Sequence, residues 1–141
     1  MEGKFNYEKR YKYPHLLGQD KIIWDNFITK FPDIFDTVDY DVHVGTGIVA
    51  QGEPNVAIVD QWKQLTKKRI DVIGYKDGIP SIIEVKDRVN LGTLGQLLGY
   101  QFLYLWQYPQ LNSVSLIVVT SNCGPDDSAI LTHYKVKCFI V

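Results

Sequence analysis

The period of the apolar positions changes several times along the chain. In "GQDKIIWDNFITKFP" the large apolar residues Trp24, Phe27 and Phe31 recur at helical spacing, and Pro32 sets the end of an amphipathic helix. In "TVDYDVHVG" the period drops to two, with Val38, Tyr40, Val42 and Val44 on one side and Asp39, Asp41 and His43 on the other, the pattern of a half-buried strand. The stretch 46–66 mixes glycines and a proline with a short apolar run and reads as an irregular excursion. Two apolar β-runs then flank Asp77-Gly78, a pair that favours the type I′ turn of a tight hairpin. "GTLGQLLGYQFLYLWQY" predicts a mostly apolar helix, and "SVSLIVVTS" a strand buried on both faces. A helical turn near "DDSAILTHY" and a last strand, "KCFIV", complete the chain. The order helix, three strands, helix, strand, short helix, strand predicts an α/β fold, a mixed central sheet flanked by helices.

The first thirteen residues interleave Lys4, Lys9, Arg10 and Lys12 with Phe5, Tyr7, Tyr11 and Tyr13 and contain no Val, Ile or Leu. They read as a basic, aromatic arm over 1–14, ahead of one domain over 15–141. Such an arm could track phosphates and stack bases, or be an ordinary solvated tail.

The hairpin register brings charge into an otherwise apolar region. With a two-residue turn, Lys76 pairs with Ile79, Asp71 faces Glu84, and Arg69 faces Lys86. Alternation then sets Asp71, Glu84, Lys86 and Arg69 on one face and Ile70, Val72, Ile83 and Val85 on the other. Two opposed carboxylates repel unless a cation lies between them. Hard oxygen donors suit Mg²⁺ (or Mn²⁺), and Lys86 is placed to hold or activate a water or to steady phosphate charge. A solvent-facing alternative, with exposed cross-strand ion pairs, stays open. Against it, Ile73, Tyr75 and Ile82 share that face toward the turn.

Composition narrows the partners only a little. With 141 residues, 45% of them hydrophobic, the chain suffices for one domain with a core. A formal net charge of -1 rules out a global basic field, so nucleic-acid binding would need a local patch, for which Lys67, Lys68 and Arg69 beside Asp71 are the candidates. Cys123 and Cys138 lack zinc-site spacing, although one disulfide is open to them. No apolar run has the length of a signal peptide core or a membrane span, so a cytoplasmic protein with no membrane partner is expected.

"RIDVI" and "IIEVK" resemble the motif of the PD-(D/E)XK nuclease superfamily, an acid on one strand and acid-x-Lys on the next, matched here by Asp71, Glu84 and Lys86. The resemblance implies a restriction-endonuclease-like αβββαβ core. It also implies a metal held by Asp71 and Glu84 with the Val85 carbonyl, and a lysine that assists the attacking water. Within the superfamily the RecB-like branch adds a Q-x-x-x-Y motif, which Gln96 and Tyr100 of "QLLGY" match. Many members place another acid on the first helix, which Asp20 would supply; an acid offsetting the helix dipole is the alternative for Asp20. Tyr100 is equally well read as a core residue. The combination of "KRIDV", "EVK" and "GQLLGY" also resembles small bacteriophage proteins, which would make the host cytoplasm the setting.

An Asp followed at a loose distance by Glu-x-Lys is a common accident in a chain that is 22% charged. Specificity comes from placement: apolar β-runs, a turn that opposes the acids, and QxxxY on the next helix. The expected function is a Mg²⁺-dependent DNA nuclease, with a homodimer possible for so short an enzyme. The alternative is a catalytically silent nuclease-fold module for nucleic-acid binding or assembly.

Overall fold

Each predicted element forms in a computed structural model of the chain, which describes residues 1–47, 55–60 and 67–141. The excursion expected over 46–66 lies, apart from 46–47 and 55–60, outside the described residues. Helix α1 spans Gln19–Lys30 and ends before Pro32, with Trp24 and Phe27 fully buried. Strands β2 (Thr37–Val44), β3 (Lys68–Lys76) and β4 (Ile79–Arg88) follow, then α2 (Leu91–Gln107), β5 (Ser115–Asn122), α3 (Pro125–His133) and β6 (Val136–Ile140). A capping box starts α2: the Asn90 side chain accepts from the Thr93 N–H, and the Thr93 hydroxyl accepts from the Asn90 N–H.

A short strand, β1 (Phe5–Asn6), completes a six-stranded sheet in which the strands lie in sequence order. Neighbours from β1 to β4 are antiparallel; β4, β5 and β6 are parallel, joined by α2 and α3. The core has two halves. Trp24 and Phe27 of α1 pack with Val72, Ile83, Val85, Ile117 and Val119. Leu97, Tyr100 and Tyr104 of α2 and Leu131 of α3 pack with Ile73, Ile82, Leu116 and Val118. A sheet covered on both sides accounts for the continuous burial of β5 from Leu116 to Thr120.

The N-terminal segment is no projecting arm. Phe5 and Asn6 pair with Val38 and Thr37, and Tyr7 and Tyr13 are 8% and 3% exposed within the α1-side core. Gly3 permits this approach, because a Cβ there would lie 2.4 Å from the Val38 carbonyl oxygen. The buried tyrosines keep their hydroxyls satisfied, Tyr7 donating to the Phe31 carbonyl and Tyr13 to the Asp25 carboxylate. Tyrosine therefore anchors the segment where Val, Ile and Leu are missing.

The Asp77-Gly78 turn has φ of 51° and 78°, both left-handed as a type I′ turn requires, and Lys76 pairs with Ile79. Further along, two expectations fail together. The β3–β4 ladder ends at Val72 and Ile83, so neither Asp71 and Glu84 nor Arg69 and Lys86 form the directly opposed pairs expected. In β2, Asp41 adopts φ 54°, and the β2–β3 ladder skips Asp41 and Asp71 between its Tyr40–Val72 and Val42–Ile70 pairs. The alternation is broken there: Val38, Tyr40 and Val72 belong to the α1-side core, whereas Val42, Val44 and Ile70 belong to the α2 side. The four apolar residues of β2 thus do not share one face, nor do Ile70 and Val72. A single left-handed residue reverses the facing of everything beyond it.

Candidate active site

The acids sit where the sheet loses its regularity. Past Val72 and Ile83 the strands β3 and β4 separate, and Asp71 turns its carboxylate to β4, where Oδ2 accepts from the Val85 N–H at 2.9 Å. Glu84, the residue before, is 7% exposed and is the one buried carboxylate among the described residues. Its Oε2 is buried without a hydrogen-bond partner. An acceptor so placed is costly to leave unmet.

Burial raises the pKa of both groups above the carboxylate range, and the charge of Asp71 pushes Glu84 up further. The Val85 N–H opposes the shift at Asp71 and favours its ionised form. Glu84 is therefore the member that retains a proton more readily when no cation is present.

Two further groups act on this pair from neighbouring elements. Lys86, two residues on along β4, draws the carboxyl pKa values of Asp71, Glu84 and Asp20 downward without forming an ion pair with any of them. Asp20 comes from the first turn of α1 and is raised by its own burial; its charge in turn raises Asp71 and Glu84. Three carboxylates and one ammonium thus interact at one end of the sheet. Among the described residues no three His, Cys, Asp or Glu side chains form a ready metal cage. The donors suit an ion that takes one or two carboxylates and completes its shell with water, as Mg²⁺ does, and the orphaned Oε2 is a vacant acceptor for it.

Helix α2 reaches the same place from the other face. Tyr100 is buried, and Glu84 and Asp71 are the charges that raise its hydroxyl pKa after burial itself. Gln96, one turn earlier, is exposed and lines a cavity with Tyr100 and Lys68. Tyr100 is thus both a core residue and a neighbour of the acids.

The basic residues before Asp71 divide. Lys68 is exposed at the cavity and Lys67 is partly buried beside it. Arg69 is engaged across β2, its Nε and Nη2 each 2.8 Å from the two carboxylate oxygens of Asp41. His15 and His43 flank that carboxylate at 3.1 and 3.7 Å. The cluster has no local signature in the sequence, because a long connection separates β2 from β3 and leaves their register to the tertiary fold. Both cysteines are free thiols.

The architecture defines an α/β protein, a mixed six-stranded sheet with helices on both faces. Its structure is similar to the crystal structure of a repair endonuclease from Pyrococcus abyssi, with a TM-score of 0.55 and 16% sequence identity. The match covers 94% of this chain and 49% of the other, so the chain spans about half the length of that endonuclease. No protein-family model matches the chain, and no curated protein matches it in sequence. Among the described residues no helix is long and apolar enough to cross a membrane.

Proposed function

We propose that the protein is a metal-dependent DNA nuclease of the PD-(D/E)XK superfamily, with Asp71, Glu84 and Lys86 as its catalytic residues. The observation that carries the reading is the buried Glu84, with one oxygen unsatisfied, beside the partly buried Asp71 at the point where β3 and β4 part. The endonuclease-like fold supports it.

On this reading Asp71 and Glu84, with the Val85 carbonyl, would hold Mg²⁺ or Mn²⁺. When bound, the ion would lower the pKa of a coordinated water and offset charge developing on the phosphate. The protein's own part is to hold the two acids together and to orient the nucleophile. Lys86 would hold the attacking water by a hydrogen bond and stabilise the phosphate oxygens as their charge grows. Asp20, whose carboxyl feels the charge of Lys86, would help to aim the ammonium. Tyr100 neighbours the acids from α2 and Gln96 lies one turn before it; both would position the substrate strand, and Lys67 and Lys68 would meet its phosphates.

The test is incubation of circular single-stranded and supercoiled double-stranded DNA with Mg²⁺ or Mn²⁺, wild type beside Glu84→Gln. Cleavage of either circle by the wild type alone is the expected result. Intact circles and intact linear DNA with both proteins would overturn the assignment.

A further inference from the structure

Beside the acid pair lies a cavity of about 310 Å³, lined by Lys68, Gly95, Gln96, Gly99, Tyr100 and Leu103. Three features distinguish it from a gap in packing. Among the described residues its lining carries a single charge, the positive one of Lys68, which makes no ion pair with any of them. Tyr100, which lines it, is also the residue of α2 whose hydroxyl feels the charges of Glu84 and Asp71.

The third feature is the glycines. Gly95 and Gly99 stand in the interior of α2, one turn apart, with φ in the ordinary helical range. Glycine is the least favourable residue in a helix interior after proline. A Cβ at either position would meet nothing within 4 Å among the described residues. What their lack of side chains does is open the floor of the cavity.

We propose that this cavity receives one unpaired nucleotide of a single-stranded DNA segment next to the phosphate at the acid pair. The proposal rests on the nuclease reading of that pair. The volume stands at the small end of ligand pockets and has room for a base with its sugar. A base held in a duplex cannot enter such a recess without leaving its stack. Leu103 and the Tyr100 ring offer apolar surface to the base, and the Gln96 amide, which has no hydrogen-bond partner among the described residues, offers a donor and an acceptor to its edge. Lys68 at the mouth meets the flanking phosphate.

The experiment measures binding of a fluorescent twelve-residue oligothymidylate, single-stranded or annealed to its complement, without divalent ion, to wild type, Gly95→Leu and the double variant Gly95→Ala/Gly99→Ala. We expect the wild type to bind the single strand at least tenfold more tightly than the duplex, and Gly95→Leu to lose at least tenfold of the single-strand affinity alone. The alanine pair should raise Tm by several degrees while weakening single-strand binding, because alanine favours the helix and partly fills the floor. Undiminished single-strand affinity in Gly95→Leu, or an equal loss for both forms of DNA, would overturn the proposal.

Cleavage by the same proteins separates this idea from its premise. If the wild type cuts no DNA but the affinity pattern holds, the nuclease reading falls and the cavity assignment stands. If the wild type cuts, Glu84→Gln does not, and Gly95→Leu binds and cuts as wild type, the cavity assignment falls alone.

Discussion

Glu84 concentrates the electrostatics of the molecule in one side chain. Its carboxyl and that of Asp71 hold protons in the fold that an unfolded chain has already released, since burial raises both pKa values. The native state therefore binds more protons than the unfolded state, and the sign of the linkage follows. The stabilising contribution is complete below about pH 4, where unfolded carboxyls ionise, and is lost as pH rises through the raised values. Without divalent ions, Tm should fall across that interval. Glu84→Gln should flatten the fall, gaining on the order of 1 kcal/mol relative to wild type near pH 8, and should abolish stabilisation by millimolar Mg²⁺. A pH series of melting curves with and without Mg²⁺ checks this; a Glu84→Gln curve parallel to wild type would remove the buried acid pair from the account. Lys86 makes a separate prediction. Lys86→Ala should lower cleavage by about a hundredfold or more while leaving the Mg²⁺-induced rise in Tm, because lysine is assigned to the water and not to the ion. Wild-type turnover in that variant would refute the role.

At the scale of elements, local chemistry and long-range packing divide the work. The hairpin at Asp77-Gly78 and the capping box at Asn90 are set by residues adjacent in the chain. Both could be read in the sequence for that reason, the turn directly and the helix by its pattern. Asn90→Ala removes the acceptor for the Thr93 N–H and should destabilise the protein by about 1 kcal/mol, measured by chemical denaturation; Asn90→Asp, which keeps an acceptor, should restore it. The irregularity at Asp41 and Asp71 was not legible, because it arises between elements. Strict alternation in "TVDYDVHVG" gives no sign that Asp41 turns left-handed, and the partner that holds its carboxylate, Arg69, is 28 positions away. That break moves Ile70 to the α2 side, and it lies in the same stretch where β3 leaves β4 and Asp71 reaches the Val85 N–H.

For the whole molecule, the N-terminal segment is part of the core. Residues 1–14 contribute an edge strand and the buried rings of Tyr7 and Tyr13, which contact Trp24, Phe35 and Tyr40. Tyr7→Ala and Tyr13→Ala should each lower stability by about 3 kcal/mol or more, in the range of large aromatic truncations, and a chain beginning at residue 15 should melt far below wild type. A truncated chain with unchanged Tm would restore the picture of a free arm. Phe5, Tyr7 and Tyr13 of this segment therefore serve the fold, whereas Tyr11 is exposed.

The sequence by itself determined the order and type of the elements, the hairpin turn and the closeness of Asp71 to Glu84, because each follows from residues near one another in the chain. It also marked Gln96 and Tyr100 as one turn of one helix face. Only the tertiary structure decided that the acids lie where β3 and β4 separate, that Asp20 and Tyr100 approach them from opposite faces of the sheet, and that Arg69 is tied to Asp41. These depend on how a strand without Val, Ile or Leu, a left-handed aspartate and a distant helix terminus pack together. No local pattern encodes them, since packing satisfies buried polar and apolar surface over the whole molecule at once.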